Sequence, residues 1–376
     1  MGFIEKEKYF CYVCGEELTE ENKSDEHIIL NAIGGHLHSY TLLCKKCNSK
    51  LGEQADAKLA ENLSFFTDML QVRKNRNKPH KLVMTDRTGL EYVIRDAGTD
   101  YELRKPIIYV EKDDVGVKVD ITARNMEELS RMLRGQVRLG TLTEEQTNAI
   151  MTKASLAEYR PVLNKTISIS SEAFPSIIKS AVNFYLDCFH DTDTIKHLIP
   201  YVKGEKKCNE VLYLHLFKKL PYCVDNQQVT HMIHLEGHRN TKLLYALMEY
   251  FSVYIYVVVL NSDYRGKDIN KTYTYDVVSG KEIPRDFTLK LTMEDLEAFR
   301  NQPHEEYVKY LSYVQERADK VMAIWDDRQR KNEINAVINE VFANHVSESC
   351  FTEAMVNEIS DKLVRRIMDR TLNESE

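Results

Sequence analysis

The sequence predicts an α+β protein in three consecutive parts: a small metal-bound ββα unit over residues 1–65, a mixed α/β region over 66–300 and a helical segment over 301–376. Three observations lead there. Two CxxC pairs near the N-terminus, Cys11 with Cys14 and Cys44 with Cys47, are spaced to share one ion. Short apolar and β-branched stretches separated by Gly and Asp follow. Beyond residue 300, apolar side chains recur at three- and four-residue steps. A length of 376 residues exceeds what one core usually serves, which favours several domains. With 43% hydrophobic and 29% charged residues and only 14 Gly and 8 Pro, disordered, collagen-like and linker-dominated chains are excluded.

The formal net charge of −7 argues against a protein that coats nucleic acid by bulk electrostatics, and leaves that work to local basic patches or bound cations. No stretch reaches the roughly 18 consecutive apolar residues of a membrane span; the best run, 253–260, suits a buried strand. Residues 1–8 carry acids and lack both an apolar stretch and a small-residue cleavage site, so a reducing, cytoplasmic setting with no membrane partner is expected. In that setting paired cysteines bind metal more often than they bind each other.

Each CxxC makes a tight turn that aims two sulfurs at one centre, and Gly15 after the first pair suits a left-handed position. Together Cys11, Cys14, Cys44 and Cys47 supply four thiolates, a closed tetrahedral set for a structural Zn²⁺ with no open position for water. The ion is expected to hold a segment too short to build a sufficient core alone. The 29-residue interval between the pairs is longer than in the commonest zinc ribbons. Within it, 28–30 and 41–43 read as short strands joined through Gly34-Gly35, and Asn48 reads as the cap of a helix running through Asp56-Ala57-Lys58-Leu59-Ala60.

The order Glu26-His27, apolar stretch, Gly34-Gly35, apolar stretch, Cys44-Lys45-Lys46-Cys47-Asn48 resembles the HNH endonuclease family, in the zinc-containing branch that uses Glu-His. The resemblance covers roughly residues 9–62. It implies a ββα-metal nuclease domain with His27, Glu26 and Asn48 as catalytic residues. The chemistry of the side chains agrees. Phosphodiester hydrolysis needs a deprotonated water, a neutralised phosphate and a stabilised leaving oxygen, which one His and one divalent cation can provide. His27 is the candidate general base. Glu26 and Asn48 are the candidate oxygen ligands of a catalytic Mg²⁺ or Mn²⁺. Asp25 takes the ligand role instead if the strand begins one residue earlier, and capping alone also accounts for Asn48. The family often carries an Asn or His just before the second strand; here His36 or His38 takes that role or the role is absent.

Residues 71–81 carry Arg73, Lys74, Arg76, Lys78 and Lys81 and no acid, a run that suits phosphate contact or a solvated linker. Lys45, Lys46 and Lys50 cluster with Asn48 and extend that candidate surface, and DNA is the expected partner. An antiparallel sheet is expected over 81–120, then helices capped by Asn125 and Thr143, a buried helix over Phe174–Phe189, and strands at 211–217, 229–235, 252–260 and 273–278. In a strand His231 and His234 face opposite ways, so these two and His238 are not expected to form a metal cluster. Cys188, Cys208, Cys223 and Cys350 read as ordinary thiols. Amphipathic helices over 305–343 and 351–368 need a partner surface, either the chain's own or a second copy in a homodimer.

The expected function is that of a metal-dependent DNA endonuclease, of the kind used as a restriction or phage-defence effector. A non-catalytic zinc-stabilised module that binds nucleic acid or protein, and a nuclease directed at RNA, are the alternatives. The sequence has no P-loop, dinucleotide loop or nucleophile elbow.

Overall fold

Residues 8–72, 82–95, 100–112, 117–154, 163–214, 227–301, 303–345 and 350–374 are described by a computed structural model. The fold is α+β, with the N-terminal cysteine-bearing segment at one end of the chain and long helices at the other. The chain divides differently from the three consecutive parts expected. One unit joins Met1–Lys78 to Ile167–Asp327, and the other joins Pro79–Thr166 to Arg328–Glu376. The first segment makes buried contacts with a helix more than 100 positions away.

The first unit is organised by a six-stranded antiparallel sheet. Its order is Lys281–Glu282, Ile269–Asp276, Thr230–His238, Leu243–Tyr250, Tyr254–Asn261, Leu212–Leu214. One face carries Met232, Tyr245, Leu247, Ile255 and Val257 against Phe287, Leu291 and Leu296. The helix Phe174–Phe189 packs on the sheet too, and is buried throughout from Pro175 to Leu186. A helix buried on all sides belongs to the interior of a large core. It also touches the N-terminal segment at Gly52–Asp56 and Ala57–Asn62. Strand Leu243–Tyr250 was not expected; all eight of its residues are buried, so it shows no alternation of polar and apolar side chains.

The N-terminal segment departs from expectation in register. Its strands are Glu26–His27 and His38–Ser39, paired antiparallel with Glu26 opposite Ser39 and His27 opposite His38. The apolar residues 28–30 and 41–43 are not strands. They are core-filling side chains, with Ile28, Ile29, Leu42 and Leu43 at most 2% exposed, and Leu30 leads into the 3-10 turn Asn31–Ile33. The Gly34-Gly35 pair follows from close packing. Gly34 has φ +92°, and a Cβ on Gly35 would lie 2.0 Å from the Ile29 carbonyl oxygen. His231 Nε2 bonds the Ile33 carbonyl at 2.9 Å, and Phe66 stacks on Phe251 with ring centroids 5.3 Å apart, so the loop and the following helices are seated on the sheet.

The other histidines of that strand share a different partner. Glu236 accepts from His234 at 3.0 Å, from His238 at 2.6 Å, and from the Leu289 and Lys290 amides at 2.8 and 2.6 Å. Burial pushes its carboxyl up, but these bonds outweigh burial and bring it down to about 2.

In the second unit, strands Asp100–Leu103, Glu91–Arg95, Leu82–Asp86 and Leu163–Asn164 form one sheet, and Ile107–Lys112 pairs with Val117–Thr122. Helix Met126–Arg138 starts where the Asn125 side chain accepts from the Glu128 amide. Helix Glu144–Lys153 starts on a capping box of Thr143 and Gln146. Helix His304–Asn344 contributes residues to both units, and Glu353–Glu374 belongs to the second. Among the described residues no helix is long and apolar enough to cross a membrane.

Two outcomes follow for stability. Gly35→Ala forces its Cβ against backbone and lowers unfolding free energy by about 1–3 kcal/mol in urea titrations. Glu236 has a depressed carboxyl, so its contribution is complete above the ordinary value of 4.5 and is lost as pH falls from there toward about 2. Glu236→Gln should therefore flatten the acid limb of the stability curve in that window, measured as midpoint against pH beside the unsubstituted protein.

Candidate active site

The four cysteines come together as their spacing implies. Their sulfurs all lie within 4.8 Å of one another, and Cys14 Sγ is 3.8 Å from Cys44 Sγ. A tetrahedral zinc with bonds of about 2.3 Å holds its sulfurs about 3.8 Å apart, so this set fits the ion. Burial and the neighbouring thiols push Cys47 well up, and burial raises Cys11, so these groups would stay protonated without a cation. The chain positions them by simple means. Gly15 has φ +77° after the first turn, and Cys44 is the N-cap of helix Lys45–Leu51 with Cys47 in its first turn. The Tyr12 amide bonds the Leu42 carbonyl at 3.2 Å, tying the first turn to the second.

Asn48 is inside that helix rather than capping it, its amide bonded to the Cys44 carbonyl at 2.9 Å. The side chain is therefore released from capping duty; Nδ2 reaches the Asp25 carbonyl at 3.5 Å. Across the hairpin, strand alternation separates Glu26 from His27. His27 is half-buried, with its ring centroid 5.7 Å from that of His38. Burial lowers its pKa; Asp25 opposes this, while His38, His36 and Lys179 reinforce it, so neutral imidazole is favoured near neutral pH. His38 bonds Asp25 Oδ1 at 2.7 Å, whereas the His36 ring lies against Tyr275, tilted, with centroids 4.6 Å apart. Of the two histidines left open by the sequence, His38 is thus the one beside His27.

Glu26 faces the other way. It is 1% exposed, 2.7 Å from Lys179 Nζ, and accepts from Asn183 Nδ2 at 2.8 Å. Burial raises its pKa in spite of Lys179, while for Lys179 the two acids outweigh burial and raise the ammonium. Lys179 also donates to Asp56 Oδ2 at 2.5 Å, and Asn183 Oδ1 accepts from Tyr12 at 2.8 Å. Removing one partner of such a buried pair typically costs about 3–5 kcal/mol. One π-helical turn, Gly52–Asp56, carries Asp56 into this cluster.

Asp25, Glu26, His27, Asn31, Asn48, Asp56 and Lys179 line a hollow of about 230 Å³. A wider one of about 620 Å³ is lined by Lys23, Asp25, Lys45, Asn48, Ser49 and Glu53. Lys45, Lys46 and Lys50 are exposed on the same helix, with Lys45 Nζ on the Glu21 carbonyl at 2.7 Å. Arg73, Lys74, Arg76, Lys78 and Cys223 lie outside the described residues. A Mg²⁺ or Mn²⁺ keeps several waters and needs only one or two carboxylates or amides, so the Asp25 and Asn48 side chains suit it. Among the described residues the four cysteines are the only His, Cys, Asp or Glu group arranged to hold a metal by themselves.

Sequence reasoning missed Lys179, Asn183 and Asp56. The signal was the one lysine of a helix rich in apolar residues, since Lys is almost never fully buried unless paired.

Removal of the cysteine-bound ion should melt this frame. Protein as purified is expected to carry one zinc per four-cysteine set by atomic emission, and Cys47→Ser to lose it with a lower thermal midpoint.

Comparison with curated proteins and with solved structures gives no match to the chain. Residues 11–64, which supply the four cysteines, His27 and Asn48, match the family model of the HNH endonucleases.

Proposed function

We propose that the protein is a metal-dependent endonuclease that hydrolyses phosphodiester bonds of DNA. Support comes from one observation above the others: His27 and Asn48 line the same open hollow as a carboxylate, Asp25, on the segment that matches the HNH endonucleases. His27, neutral near physiological pH, accepts the proton of the attacking water as the new bond to phosphorus forms. Asn48 and one of the two adjoining acids, Asp25 or Glu26, supply oxygen ligands beside it. A Mg²⁺ or Mn²⁺ bound there would neutralise charge on the phosphate and stabilise the leaving oxygen. Lys45, Lys46 and Lys50 meet neighbouring phosphates and set the position of the strand without reading its sequence.

The test is cleavage of plasmid DNA and of RNA, in parallel, with Mg²⁺ and Mn²⁺. His27→Ala is expected to lower the rate about 10²–10⁴-fold while zinc content and thermal midpoint stay unchanged. Nucleic-acid binding without cleavage by the unsubstituted protein would favour a binding module, and cleavage of RNA alone would reassign the substrate.

A further inference from the structure

Helix Phe174–Phe189 presents Ser176, Lys179 and Asn183, spaced three and four residues apart and so on one face, to the acids of the N-terminal segment. Ser176 Oγ donates to Asp56 Oδ1 at 2.5 Å, Lys179 Nζ to Asp56 Oδ2 at 2.5 Å, and Asn183 Nδ2 to Glu26 Oε1 at 2.8 Å. Lys179 Nζ is also 2.7 Å from Glu26 Oε1, and the Lys179 and Glu26 side chains are each 2% exposed. Two carboxylates from separate elements, closing on a common point, are a donor set for a hard divalent ion. That point is filled by an amine of the chain itself.

We propose that the Lys179 ammonium is the resident cation of the Glu26–Asp56 pair, so that Glu26 positions the strand bearing His27 and the reactive metal ion falls to Asp25 and Asn48 on the open side. Three features of the cluster carry this. An ion entering between Glu26 and Asp56 would have to shed its waters among side chains that are only 2–11% exposed, and these ions dehydrate reluctantly. It would also drive the ammonium into the apolar packing of its own helix, leaving that charge buried and unpaired. Finally, Asn183 and Ser176 direct hydrogen-bond donors at the two acids, which suits carboxylates held by a lysine and competes with ligation. Glu26, Asp56 and Lys179 border the smaller hollow, whereas Asp25, bonded to His38 through Oδ1 alone, is 44% exposed and lines both hollows with Asn48. Lys179 is a positioning residue in this account, contributed by a helix outside the matched segment.

The proposal rests on the nuclease reading only for naming the metal ion reactive. Its test is Mn²⁺ binding to the full chain, followed by calorimetry and electron paramagnetic resonance, which need no cleavage. Glu26→Gln should leave the affinity of the unsubstituted protein in place, and Asp25→Asn should lower it at least about tenfold. Lys179→Met removes the ammonium and should gain a Mn²⁺ site that disappears again in the Glu26→Gln, Lys179→Met double variant. Its thermal midpoint, lowered without metal, should rise with Mn²⁺ more than that of the unsubstituted protein. If Lys179→Met does not fold, the contrast between Glu26→Gln and Asp25→Asn decides. A tenfold loss of affinity in Glu26→Gln overturns the proposal, as does a folded Lys179→Met protein that gains no Mn²⁺. An unsubstituted protein that binds no Mn²⁺, with a Lys179→Met variant that does, removes the metal-nuclease reading and keeps the lysine assignment.

Discussion

Neighbouring residues on a strand point to opposite sides, and at Glu26 and His27 this constraint divides the site in two. On the inner side Glu26 meets Lys179 and Asn183 in a buried cluster that borders the hollow from within. On the outer side His27 stands beside His38, Asp25 and Asn48 at an open hollow. The two sides are coupled through the backbone: turning Glu26 outward would take the imidazole inward and leave a lysine buried with one acid fewer. Register matters more here than propensity, because the strand is only two residues long and its hydrogen-bond ladder holds little by itself.

Two features hold that register from different directions. The four-thiol cluster draws the Cys11–Cys14 turn against the start of helix Lys45–Leu51, which presents Asn48 to the hairpin. From the other direction, helix Phe174–Phe189 and the sheet behind it engage Tyr12, Glu26, Ile33 and Asp56. The segment matching the HNH endonucleases is accordingly one wall of a larger unit, and its geometry depends on residues far along the chain. A metal would compensate for the small core of such a segment, and here packing against the sheet adds to it.

Much of this was legible where the chemistry is local. Cysteine spacing gave the thiol cluster, Asn125 and Thr143 announced their helices through side-chain caps, and the apolar run with Pro175 near its start marked Phe174–Phe189. What failed was non-local. Residues 28–30 and 41–43 are apolar because they are buried, and burial alone does not distinguish a strand from a turn that fills the core. Strand Leu243–Tyr250 is buried on both faces and loses its period for the same reason. Lys179 lies 123 positions from Asp56, so no local pattern could name its partner, although a lysine in so apolar a helix required one. Asn48 was expected to cap a helix, but the helix starts three residues earlier at Lys45, behind Cys44 as the N-cap.

The division of the site into a buried inner cluster and an exposed side proposed to bind metal is tested most directly by anomalous diffraction from crystals of the full chain soaked in Mn²⁺, with zinc located at its own absorption edge. The account predicts zinc among Cys11, Cys14, Cys44 and Cys47, manganese on the His27 side between Asp25 and Asn48, and Lys179 still on Glu26. Manganese seated between Glu26 and Asp56 with the lysine displaced, or no ion near His27, would contradict it.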